Sequence, residues 1–148
     1  LSTLFVAPHT ALQGPSSSQP SSAVSSSPTQ GRAPVASGSG LAGPVELARY
    51  GGASGDFNPI HFDEEYARRA GFARPIVHGM LLYNWVLWIW ATLTQGPVAF
   101  RTRIRFVTPL LSGEPATVEL YEDSSFAVSK ESGSHRELVA KGSIHTSQ

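Results

Sequence analysis

Between Ile76 and Leu93 lie 18 mostly apolar residues without a single Asp, Glu, Lys or Arg. A helix apolar on every side has two homes, a membrane or the middle of a protein that wraps it. His78, Gly79 and Asn84 interrupt this run near its start and middle, and hydrocarbon would penalise such polar groups. The run therefore predicts a buried core helix, entered at Pro75 and left near Thr94-Gln95-Gly96-Pro97, with the rest of the chain as its wrapping.

The residues that follow have the pattern of such a wrapping. From Val98 to Val107, Arg101, Arg103 and Arg105 alternate with Thr102, Ile104 and Phe106, the period-two signal of a strand with unlike faces. Further strand candidates run from Ala116 to Tyr121, Phe126 to Lys130 and Glu137 to His145, separated by turn-forming residues. One long helix followed by an antiparallel meander predicts an α+β fold, a sheet curled around a helix.

Upstream, Pro44 suits a first helical turn, and a short helix should reach about Tyr50. Gly51 to Pro59 reads as a loop of small residues and turn formers. Asp63-Glu64-Glu65 sets carboxylates at the start of a second helix, where they meet free N–H groups and the positive dipole end, and Gly71 stops it. Residues 14–43 differ in kind: nineteen of the thirty are Ser, Pro or Gly, and Arg32 carries the only charge. Such a segment buries too little apolar surface to offset its ordering entropy, so residues 1–43 are expected to be a low-complexity segment before a domain at 44–148. One short strand over residues 3–9 is possible within it.

Composition excludes several function classes. Eleven basic residues balance eleven acidic ones, giving no electrostatic footprint for nucleic acid or an anionic membrane. There is no cysteine, which excludes disulfides and thiolate chemistry and is compatible with a cytoplasmic protein. The apolar start Leu4–Ala7 is too short for a signal peptide and lacks a basic region before it. The five histidines are scattered with no H-x-x-x-H pair, so no metal site is expected.

The chemistry concentrates in Ser54-Gly55-Asp56-Phe57-Asn58-Pro59-Ile60-His61-Phe62-Asp63 and Pro75-Ile76-Val77-His78-Gly79-Met80. A carboxylate and an imidazole stand five residues apart across a turn that Asn58-Pro59 would tighten, so Asp56 and His61 can face one pocket. Adding water to an activated alkene needs a base for the water and an acid for the neighbouring carbon, and these two groups suit that work. Gly79, near the start of the long helix, offers a backbone N–H to a developing oxyanion with no side chain in the way.

The spacing alone is a weak signal. The whole stretch, Y-x-x-x-S-G-D-x-N-P-I-H-x-D and then P-I-x-H-G-M, resembles the signature of MaoC-like dehydratases, or R-specific enoyl-CoA hydratases, from Tyr50 through Met80. The resemblance implies a hot-dog fold, homodimers and reversible syn hydration of trans-2-enoyl thioesters. It maps the catalytic pair onto Asp56 and His61, the oxyanion-hole glycine onto Gly79 and a loop-shaping position onto Asn58. Ser54, Gly55, Pro59 and His78 are candidate site-shaping residues read from the stretch itself, His78 as a helix-start side chain hydrogen-bonded to backbone. Coenzyme A or phosphopantetheine would enter only as part of the substrate. The sequence departs from the family after H-G-M, where Leu81-Leu82-Tyr83-Asn84-Trp85 is bulkier than usual, and at the turn Leu111-Ser112-Gly113-Glu114. Trp85 is a candidate wall of the acyl tunnel, and Arg103 a candidate phosphate contact on a strand face that otherwise reads as solvated. A hot-dog thioesterase and a non-catalytic acyl-binding domain are the competing readings.

Overall fold

The structure, a computed structural model, describes residues 32–94 and 98–147. Strand β1 (Ala36–Leu41) leads into helix α1 (Pro44–Ser54), a 3-10 turn (Pro59–His61), helix α2 (Glu64–Arg69) and the long helix α3 (Gly79–Leu93). Four strands follow, β2 (Phe100–Phe106), β3 (Pro115–Leu120), β4 (Ser125–Ser132) and β5 (His135–Thr146). They form one five-stranded antiparallel sheet in the order β1-β3-β4-β5-β2.

Helix α3 lies across β1, β3 and β4. Its Leu81, Leu82, Tyr83 and Val86 are buried against Val118, Leu120, Phe126, Val128, Val139, Ala140 and Ile144 of the sheet. The alternation in β3, with Ala116, Val118 and Leu120 buried, is the period-two signature of a strand with one face on a core. Asp63 caps α2 through Tyr66 N–H at 2.8 Å, as the acidic run predicts.

Three expectations need correction. The segment read as linker through residue 43 contains β1, which pairs with β3 from Ala36↔Leu120 to Leu41↔Pro115. Residues upstream of 44 therefore already belong to the sheet, from Ala36 onward. The strand forms without β-branched residues because it yields space to the helix. A Cβ on Gly38 would lie 2.7 Å from Ile89 Cδ1, and one on Gly40 would overlap the Trp85 ring. The possible strand at 3–9 lies outside the described residues.

Second, Gly51 to Ser54 are helical, so α1 runs past Tyr50 to the C-cap Gly55, which takes the left-handed φ of 77° that glycine adopts at little cost. Gly51 is there for packing, since a Cβ would sit 2.6 Å from the Phe62 ring. Third, α3 is not wrapped on all sides: Trp88 is 63% exposed, and Met80 and Leu93 are also open. No helix among the described residues is long and apolar enough to cross a membrane.

Candidate active site

The loop between α1 and α2 carries the carboxylate and the imidazole, and its conformation is fixed by its own polar side chains. Ser54 Oγ donates to the Tyr50 carbonyl at 2.8 Å and accepts from Asp56 N–H at 3.2 Å. Asn58 Oδ1 accepts from Ile60 N–H at 3.2 Å, an N-cap that starts the 3-10 turn with Pro59 in its first position. That single turn rotates His61 inward, where it is buried, while the Asp56 side chain remains half exposed.

Hydrogen bonds define the tautomers of both histidines in the site. His61 Nδ1 lies 2.8 Å from the Ile76 carbonyl. A carbonyl can only accept, so Nδ1 carries the proton and Nε2 keeps a free lone pair. That Nε2 lies 3.8 Å from Asp56 Oδ2. The separation is too long for a direct hydrogen bond and short enough for one water to bond to both groups. His78 Nε2 lies 3.2 Å from the Asp56 carbonyl, so by the same reasoning Nε2–H donates there. The two imidazoles stack with centroids 3.8 Å apart and planes 22° from parallel. Burial lowers the His78 pKa, and neighbouring His61 lowers it further against the opposing effect of the Asp56 contacts.

Asp56, His61 and His78 bring one potential ligand atom each within 4.8 Å of one another. Lone pairs of imidazole lie in the ring plane, so stacked rings direct them side by side and not toward one ion. One nitrogen of each ring is also committed to a carbonyl. The arrangement suits proton handling better than chelation.

A cavity of about 350 Å³ opens beside His61 and Gly79. Its other walls are Ile76, Val77, Leu82, Phe106, Val107, Thr108, Pro109 and Leu110, nearly all apolar. Gly79 is the first residue of α3, so its N–H belongs to the first-turn amides that a helix cannot satisfy internally. The Phe106 ring packs against it, and a Cβ at this position would come within 2.9 Å of that ring. The cavity therefore combines an imidazole, a helix N-terminus and apolar walls; of the expected pair only His61 lines it, and the half-exposed Asp56 carboxylate stands beside that imidazole without being part of the lining.

The structure thus brings together Asp56, His61, Gly79 and His78, with Ser54, Gly55, Asn58 and Pro59 shaping the loop. Trp85 does not join them: it packs over Gly40 of β1 and lines no part of the cavity. Arg103 stands on the exposed strand β2, also outside the cavity lining. Phe106 and Val107 line the cavity where Trp85 was a candidate wall. Sequence reasoning placed Phe106 on the inward-facing side of its strand but had no means of seeing that this face ends over Gly79.

A model of the MaoC-like domain matches residues 17–147. The (R)-specific enoyl-CoA hydratase of Aeromonas caviae is 34% identical over 80 residues, covering 53% of this chain and 60% of that protein. The mitochondrial 3-hydroxyacyl-[acyl-carrier-protein] dehydratase of Arabidopsis thaliana is 36% identical over 69 residues, covering 47% of this chain and 42% of that one. The matched stretch is thus under two thirds of either curated relative. The solved structure of the A. caviae (R)-hydratase involved in PHA biosynthesis superposes with a TM-score of 0.61 at 26% identity, covering 78% of this chain and 96% of that one. The α+β architecture is the hot-dog arrangement of an antiparallel sheet with a central helix. The chain belongs to the MaoC-like domain family of hydratases and dehydratases.

Proposed function

We propose that this chain is a lyase that reversibly adds water to 2-enoyl thioesters, carried on coenzyme A or a carrier protein, giving 3-hydroxyacyl thioesters. The observation that carries this reading is His61, whose Nε2 lies 3.8 Å from the Asp56 carboxylate and which lines the same cavity as Gly79. A water held between the two gives a proton to the Asp56–His61 pair as its oxygen bonds to C3 of the alkene. The alkene electron pair moves toward the thioester carbonyl, and the growing negative charge on oxygen meets the first-turn amide of Gly79. A proton returned to C2 completes the addition and leaves the pair as it began. The reverse sequence is dehydration.

The cavity volume is near the small end of the range for ligand pockets, which favours a short acyl chain. Phe106 and Val107 are about half exposed, so this cleft is open along the sheet edge. Pairing with a second copy, as a homodimer, would cover it.

The test is hydration of crotonyl-CoA, followed by loss of enoyl absorbance beside a free-thiol assay. The wild-type chain should consume the enoyl thioester without releasing thiol, faster with a C4 than a C12 acyl group. Asp56→Asn and His61→Ala should each lower kcat by at least about 10²-fold. Thiol release in step with substrate loss would identify a thioesterase, and binding without turnover an acyl-binding domain. Either outcome defeats the proposal.

A further inference from the structure

The residue before α3 holds the usual N-cap position, but the His78 side chain makes no cap bond to its own helix. It turns instead to the opposite loop, where Nε2–H donates to the Asp56 carbonyl. The side chain is almost wholly buried, at 1% exposure, and its Nδ1 has no hydrogen-bond partner among the described residues. Burying an unpartnered ring nitrogen is costly, and an apolar residue would fill this space without that cost. An imidazole in such a place must serve a purpose other than filling.

The groups around it indicate what that purpose is. Tyr50 of α1 lies at a centroid distance of 4.9 Å and Phe62 at 5.5 Å, while His61 stacks at 3.8 Å and Asp56 accepts the bond. Apart from this bond, the hydrogen bonds that hold Asp56 among the described residues are those of its N–H to Ser54 at 3.2 Å and of its carboxylate to Asn58 N–H at 3.3 Å, with His61 Nε2 a longer 3.8 Å away. We propose that His78 is a positioning residue for hydration: its Nε2–H fixes the Asp56 backbone and its ring fixes the plane of His61. Because Gly79 is the next residue along the chain, the same side chain also ties the carboxylate loop to the helix end that faces the thioester oxygen. This inference rests on the hydratase reading.

The test uses the full chain with His78→Phe, which keeps a stacking ring without the donor, and His78→Gln, which offers an amide N–H near the position of Nε2. Each is made alone and together with Asp56→Asn. His78→Phe should lower kcat about tenfold or more with KM changed less than about twofold, the pattern of a lost transition-state interaction. His78→Gln should recover most of that loss. On the Asp56→Asn background, His78→Phe should cost less than about a further twofold, because the group it positions is already disabled. Equal losses on both backgrounds, a normal kcat in His78→Phe, or a His78→Gln as impaired as His78→Phe would each overturn the role. Nitrogen NMR of the wild-type imidazoles provides a readout independent of turnover and of variant folding. It should find His78 protonated at Nε2 and His61 at Nδ1, and the opposite tautomer at His78 overturns the proposal. A wild-type chain that hydrates no enoyl thioester sinks the hydratase reading and this role with it. An active wild type with an unimpaired His78→Phe sinks this role alone.

Discussion

His61 and His78 each spend one ring N–H on a backbone carbonyl, those of Ile76 and Asp56 respectively, and only His61 lines the cavity. The remaining nitrogen of His61 is therefore available to water, whereas that of His78 is buried with no partner among the described residues. This difference has a consequence for stability. Burial lowers the folded-state pKa of His78 below its ordinary 6.5, so the unfolded chain takes up a proton there more readily than the folded one. The sign follows by linkage: stability from this group is complete above about pH 6.5 and is lost as the pH falls from there through the folded pKa. Thermal melts between about pH 7 and 5 should show a fall in Tm for the wild type. The fall should be smaller in His78→Phe, which has no proton to gain at that position, and identical slopes would contradict the buried neutral imidazole.

At the scale of elements, β1 shows how a strand can be built from residues of poor strand propensity. Ala36, Gly38 and Gly40 alternate with the exposed Ser37, Ser39 and Leu41, and the small residues form the face against α3. Trp85 and Ile89, four residues apart and so on one face of the helix, settle over Gly40 and Gly38. Gly40→Val should therefore force the indole away and destabilise the chain by about 1–3 kcal/mol, as overpacking does. Urea unfolding measures it, and a midpoint unchanged from wild type would show that β1 does not bear on Trp85. The opposite edge is built differently. β2 is exposed along nearly all its length, with Ile104 its one half-buried residue, and reaches α3 through Phe106 against Gly79 and Phe100 against Trp90.

For the whole molecule, that edge is where the proposed association with a second copy would take place. Among the described residues β2 pairs with β5 on one side and has no strand on the other. Phe100, Phe106 and Val107 on or beside it, and Met80 and Trp88 on α3, are large apolar side chains open to solvent. A free strand edge with adjoining apolar surface is a site for pairing with another chain. Light scattering in solution should accordingly give twice the 15.8 kDa chain mass. A mass of one chain at micromolar concentration would mean that the cleft functions without a second copy.

Much of the molecule was legible in the sequence because it depends on neighbours along the chain. The acidic N-cap of α2, the Asn58-Pro59 turn and the turn residues that set off strands β3 and β5 are local patterns, and local patterns survive without knowledge of the fold. The loop from Ser54 to Ile60 is shaped through bonds between residues two to four apart, so Asp56 and His61 could be paired from the sequence as candidates, although the bond that holds the His61 ring reaches Ile76. Tertiary structure decided what depends on distant segments. The Ser- and Gly-rich β1 is a strand only because α3 presses Trp85 and Ile89 onto it, an arrangement that composition alone reads as linker. Phe106 became a cavity wall, and Trp85 did not, because of how β2 and β1 lie against the helix. The partner of His78 is 22 residues away, and only folding brings that carbonyl to its ring.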